Sequence, residues 1–143
     1  MNIKPITVEQ IKFVAHRLAK NTMDWDEPIP EFETRYPNIL ESCIVSPFQK
    51  FNNRLLYKGL NGKAAFLFYL LIKNHPFQNG NKRIAVTALL IFLLINGYWL
   101  KADTTVLYNT ALWVARSPAD GRDEVVKYIY KFIEKYKVKN PNK

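Results

Sequence analysis

"KNHPFQNGNKRIAVTALL", Lys73 to Leu90, decides how this chain is read. A knot of one histidine, three asparagines, one glycine and three cations runs straight into an apolar stretch. From Ile84 to Ile95 only Thr87 interrupts the apolar residues. Those twelve residues are too few to span a bilayer as a helix, so the stretch reads as a core helix. Asn96-Gly97 supplies its stop, because glycine takes the left-handed conformation at no steric cost. Upstream, Ala64, Ala65, Phe68, Leu71 and Ile72 mark the apolar face of another helix, from about Asn61 to Lys73. The knot is therefore the connection between two buried helices.

The flanking sequence extends this pattern. Thr7-Val8-Glu9-Gln10 has the spacing of a capping box, and Ile11, Val14, Ala15, Leu18 and Ala19 follow at helical spacing to about Asn21. A proline-bearing acidic loop covers Asp24 to Glu33. Pro37 opens a short helix through Ser42, and Pro47 ends that region. Phe48 to Tyr57 reads as a short β-hairpin turning at Asn52-Asn53, since asparagine tolerates the positive φ of tight turns. Too few strands are present for a free-standing sheet, so the hairpin must lie on helices. Asp103 caps a helix to Arg116, closed by Ser117-Pro118, and a last helix runs from about Asp123 to Lys137 with its acids first and its lysines last. The expected fold is all-α: about six helices around a central buried helix, with one small hairpin. Residues 1–137 read as one domain and 138–143 as a disordered basic tail.

Bulk properties narrow the class. The chain has 143 residues, 48% of them apolar, enough for a single hydrophobic core. Its net charge of +9 is uneven: Asp24 to Glu41 carries −5, so the remainder carries +14. A basic body favours anionic partners without choosing among them, and a solvated basic face is the commoner cause. Lys131, Lys135, Lys137 and Lys139 lack any base-reading element, so nucleic acid is not the expected partner. The lone Cys43 allows no internal disulfide, and the N-terminus lacks the apolar run of a signal peptide, so the expectation is a cytoplasmic protein with no membrane attachment. His16, beside Arg17, reads as a surface residue, and Trp25, Trp99 and Trp113 read as core.

Within the knot each residue type has a physical reason. Pro76 pushes His75 out of helical geometry, which sets the imidazole at a helix end. Phe77 is an apolar anchor pinning a polar loop to the core. Gly80 lets the backbone turn and approach a ligand, and the unpaired N–H groups of the following first turn make an anion site. Lys82 and Arg83 oppose the helix dipole there. A bound phosphate resolves that conflict; two cations solvating a helix end is the other reading.

His75 to Arg83 resembles the signature of the Fic/Doc family, H-P-F-x-[D/E]-G-N-[G/K]-R. Leu40-Glu41-Ser42 and Ser46 to Phe51 are similar to the segment upstream of that motif in the Doc branch, and lysine at position 82 sides with Doc. The resemblance covers Ile39 to Asp103 well. It implies a Fic/Doc fold, ATP as co-substrate and a Doc-like transferase, a protein kinase that moves the terminal phosphate to a target protein hydroxyl. In that branch the target is elongation factor Tu and the enzyme is the toxin of a toxin–antitoxin pair. It also implies His75 as general base, and Gly80, Asn81, Lys82 and Arg83 as phosphate holders. Phe48, Gln49, Lys50 and Phe51 fall on the flap where the target segment docks. Most family members instead transfer AMP, which stands as the alternative.

The departure is Asn79, where the family carries the acid that helps hold Mg2+. An amide oxygen offers a dipole without the charge that magnesium prefers. A weakened or inactive relative that still binds nucleotide or a partner is therefore a further alternative, as is conversion of Asn79-Gly80 to aspartate by deamidation. No glutamate is followed by glycine or asparagine, so the self-inhibiting [S/T]-x-x-x-E-[G/N] pattern is absent. Inhibition in trans by an antitoxin is then what the resemblance implies.

Overall fold

The computed structural model describes residues 2–22, 28–51, 54–55 and 57–140. Thr7 starts the first helix with a full capping box: its hydroxyl accepts from Gln10 N–H at 3.1 Å, and the Gln10 amide oxygen accepts from Thr7 N–H at 2.9 Å. This helix is continuous but changes winding. It runs as α1 (Val8–Gln10), a π-helical stretch (Ile11–His16) and α2 (Arg17–Thr22). After a 3-10 turn at Phe32–Thr34 come α3 (Pro37–Val45), a second 3-10 turn (Ser46–Phe48), and a hairpin of β1 (Lys50–Phe51) and β2 (Arg54–Leu55). Lys50 pairs with Leu55 and Phe51 with Arg54. The Asn52-Asn53 turn lies outside the described residues, as do Asp24, Asp26 and Glu27 of the acidic loop.

The core is an antiparallel pair, α4 (Gly59–Lys73) and α5 (Asn81–Ile95). From Asn81 to Leu93 every residue except Lys82 is buried, so α5 is the central helix. It has no polar face because α4, α6 (Thr104–Arg116) and the N-terminal helix all pack around it, while α7 (Arg122–Tyr136) covers the far side of α4. Counting the N-terminal helix once, the described residues form the expected set of six helices with a small hairpin.

Side-chain to carbonyl bonds fasten this arrangement. Arg83 Nη2 donates to the Ala19 carbonyl and Thr87 Oγ1 to the Ala15 carbonyl (2.8 Å), a pair one helical turn apart on each helix. Ala15 and Ala19 have no exposed surface, and their small side chains let α5 come that close. Lys73 Nζ closes the end of α6 by donating to the Ser117 carbonyl. Asp103 accepts from Val106 N–H at 2.9 Å and caps the start of the same helix.

Two expectations are corrected. The chain after Lys137 is not a frayed tail: Lys137–Lys139 form β4, antiparallel to β3 (Tyr98–Leu100), with Trp99 opposite Val138. Gly97 turns the chain out of α5 and leaves Tyr98–Leu100 with unpaired backbone groups that β4 satisfies. Residues 141–143 lie outside the described residues. Trp113, expected in the core, is 45% exposed, because α6 buries Leu107, Thr110, Ala111 and Val114 instead. Trp99 is half-buried, and Trp25 lies outside the described residues. Among the described residues no helix is long and apolar enough to cross a membrane.

Candidate active site

The α4–α5 connection is held in shape by its neighbours rather than by regular structure. His75 leaves α4 with φ +50°, the only described non-glycine residue at positive φ, and its side chain is exposed. The proline after it removes right-handed helical geometry as an option. Pro76 is buried, and its carbonyl accepts from Tyr36 N–H at 2.8 Å, tying the loop to the start of α3. One residue before His75, the Asn74 side chain hydrogen-bonds the buried Cys43 thiol. Burial pushes that thiol up to about 12, and the Asn74 bond offsets part of the rise.

Phe77 is 1% exposed and sits against Phe32 and His16, with ring centroids 5.8 and 6.0 Å away. His16 is buried, contrary to the sequence expectation. Its Nε2–H donates to the Pro30 carbonyl at 2.8 Å, and its ring meets Phe32 edge-on at 5.4 Å. The imidazole is thus wedged between the motif loop and the 28–34 segment, which its sequence neighbours gave no means of foreseeing.

Gly80 is the N-cap of α5 at φ +73°. A Cβ there would lie 2.6 Å from Ile29 Cδ1 and 3.0 Å from the Pro28 carbonyl oxygen, so the 28–34 segment lies directly on the glycine. The first turn of α5 contains no acid, and Lys82 is half-buried at its start.

The polar motif residues divide by their partners. Asn81 is buried and clasps Phe77: its Oδ1 accepts from Phe77 N–H at 3.0 Å and its Nδ2 donates to the Phe77 carbonyl at 2.9 Å. Arg83 is buried against the N-terminal helix through Ala19. Asn79 Oδ1 accepts from Gly80 N–H at 2.9 Å. The residues expected to hold phosphate are therefore brought to one helix end, but Asn81 and Arg83 direct their side chains into the fold. The half-buried Lys82 and the first-turn backbone amides share that helix end.

The flap residues are close to the same core. The Phe48 ring is half-buried and packs edge-on against Phe92 of α5, with centroids 6.3 Å apart. Gln49 and Lys50 are exposed, and the backbone of Phe51 is in β1. Lys63 of α4 is buried beneath them and donates to the Tyr57 carbonyl at 2.7 Å. Burial pulls this lysine below its ordinary range.

At the position where magnesium would favour a charged oxygen, this chain presents an amide. Asn79 brings a neutral amide whose oxygen already takes the Gly80 N–H, and among the described residues no group of three His, Cys, Asp or Glu could hold a metal.

The model of the Fic/DOC family matches residues 5–93. The chain is similar to Toxin Doc of Mycolicibacterium smegmatis, 37% identical over 76 residues, which is 53% of this chain and 58% of that protein. The match thus spans less than two thirds of that relative's length. No solved structure matches the chain. Carrying the His75–Arg83 motif and matched over more than half its length, the chain belongs to the Fic/DOC family.

Proposed function

We propose that this chain is a Doc-like toxin that transfers the terminal phosphate of ATP to a hydroxyl of a target protein, a translation factor such as elongation factor Tu. The observation that carries this reading is His75. It is an exposed imidazole fixed at positive φ on the loop that feeds a glycine-capped, acid-free helix start. A neutral imidazole is a competent base near neutral pH. In the proposed step the target hydroxyl oxygen bonds to the terminal phosphorus as its proton passes to the His75 ring. The bond from that phosphorus to the bridging oxygen breaks, and ADP leaves. Lys82 and the first-turn amides of α5 hold the phosphate oxygens. No step is routed through magnesium, whose family acid position is here the neutral Asn79.

A second reading, a relative that binds nucleotide or an antitoxin without turnover, is favoured by Asn79 Oδ1 and Arg83 being bonded within the fold. Incubation with γ- and α-labelled ATP in parallel, against purified elongation factor Tu and a bacterial lysate, separates the readings. Label from the γ position alone supports phosphate transfer. Label from the α position alone means AMP transfer. No label, even with Asn79→Asp, leaves the binding-only reading.

A further inference from the structure

The α6–α7 seam leaves two large aromatic rings exposed. Trp113 of α6 and Tyr128 of α7 are 45% and 49% exposed, with centroids 4.3 Å apart. Phe132 stands one turn further along α7. These three rings border a groove of about 570 Å³ that also takes in Val106, Lys131 and Lys135. Helix α7 already has its packing face in Val125, Val126, Ile129 and Ile133, and α6 has its own in Leu107, Ala111 and Val114. Trp113 and Tyr128 lie off both stripes, while Phe132 is half-buried against the core beside them. Contiguous exposed aromatics are costly to leave wet and are the residue types that dominate protein interfaces.

Charge selects the occupant. Lys131 and Lys135 are exposed on the groove's rim, and no acid is among the described residues lining it. An anionic partner gains both pairings there with no opposing carboxylate. The groove follows α6 from Val106 to Trp113, two turns or about 10 Å, which suits a short amphipathic helix. None of the residues from 74 to 83 lines it, so it is separate from the candidate active site.

We propose that the α6–α7 seam is a docking groove for an acidic segment of another protein, bound as an amphipathic helix. Its apolar stripe covers Trp113, Tyr128 and Phe132, and its carboxylates meet Lys131 and Lys135. Nothing in this depends on the transferase reading, because binding is measured directly.

The probe is a labelled peptide of about sixteen residues with leucines at helical spacing and glutamates between them, alongside versions carrying glutamine or lysine in place of glutamate. Fluorescence anisotropy with the full chain is expected to show saturable binding of the glutamate peptide. The lysine version should bind at least tenfold more weakly. Trp113→Ala and the Lys131→Glu/Lys135→Glu double variant should each weaken binding at least tenfold, with circular dichroism confirming that they fold, while His75→Gly leaves it within twofold. Four outcomes overturn the proposal: no binding, equal binding by the double variant, tighter binding of single-stranded DNA that Trp113→Ala abolishes, or a Trp113-dependent dimer in sedimentation.

Discussion

Asn81 holds Phe77 by both faces of one peptide backbone, accepting from its N–H at 3.0 Å and donating to its carbonyl at 2.9 Å. The first residue of α5 thereby fixes the loop that precedes it. Asn81→Ala leaves a buried donor and a buried acceptor without partners, at about 1–3 kcal/mol each. Urea unfolding should show a fall of about 2–6 kcal/mol in stability with an unchanged m-value. Asn81→Asp keeps the acceptor but turns the donor into a second oxygen facing the Phe77 carbonyl, and should lose at least as much.

Gly80→Ala tests the contact with the 28–34 segment. The left-handed backbone alone costs a non-glycine residue about 1–2 kcal/mol. The new methyl must also displace Ile29 Cδ1 and press on the Pro28 carbonyl oxygen. Ile29→Ala in the same background should recover part of the loss but not all, because the Pro28 carbonyl is backbone. A double-mutant cycle on unfolding free energies measures that coupling.

His75 sits where glycine would be more comfortable. His75→Gly removes the steric cost of φ +50° and should raise stability by about 1 kcal/mol, read as a higher urea midpoint. The same variant should lose all label transfer from γ-labelled ATP. Stabilisation joined to loss of activity would identify His75 as a residue retained for chemistry against its conformational preference. A variant that keeps its labelling would remove the imidazole from the base role.

Cys43 is the single cysteine and is fully buried, so a thiol reagent should leave the native protein untouched at neutral pH and react once per chain after unfolding. Its folded value, raised by burial from the ordinary 9.0 to about 12, sets a sign for alkaline stability. The folded chain keeps this proton in a range where the unfolded chain has released it. The contribution is complete below pH 9.0 and is lost as pH rises through about 12, at about 1.4 kcal/mol per pH unit in between. Tyr57 and Tyr69, raised by burial as well, act in the same direction. Comparing the native chain with Cys43→Ala across that window isolates the thiol.

Four of the helices were legible from their own punctuation: the Thr7 capping box, Pro37, Gly97 and Asp103 all stand at element ends. The burial of Phe77 was legible because a large apolar residue in a polar loop has nowhere else to go. His16 was not, since its burial depends on Pro30 and Phe32, which reach it only in the folded chain. The roles of Asn81 and Arg83 were obscured by the motif itself. Residue types suited to phosphate are equally suited to buried carbonyls, and only geometry separates the uses. Ala15 and Ala19, small residues one turn apart, were the available signal that a helix would approach closely there. For β4 the alternation of lysines around Val138 looks like a solvated tail, and its pairing partner, Tyr98–Leu100, lies far back in the sequence beyond α6 and α7.

The α7 helix is fastened at both ends, by Lys73 holding the Ser117 carbonyl ahead of it and by β4 pairing with β3 behind it. An element tethered twice cannot fray from one end inward. Its amides should therefore exchange with deuterium as one block together with those of α4, at the free energy of opening the whole molecule, whereas the two-residue strands β1 and β2 open on their own. The last helix in the sequence is thus part of the most slowly exchanging unit in the fold.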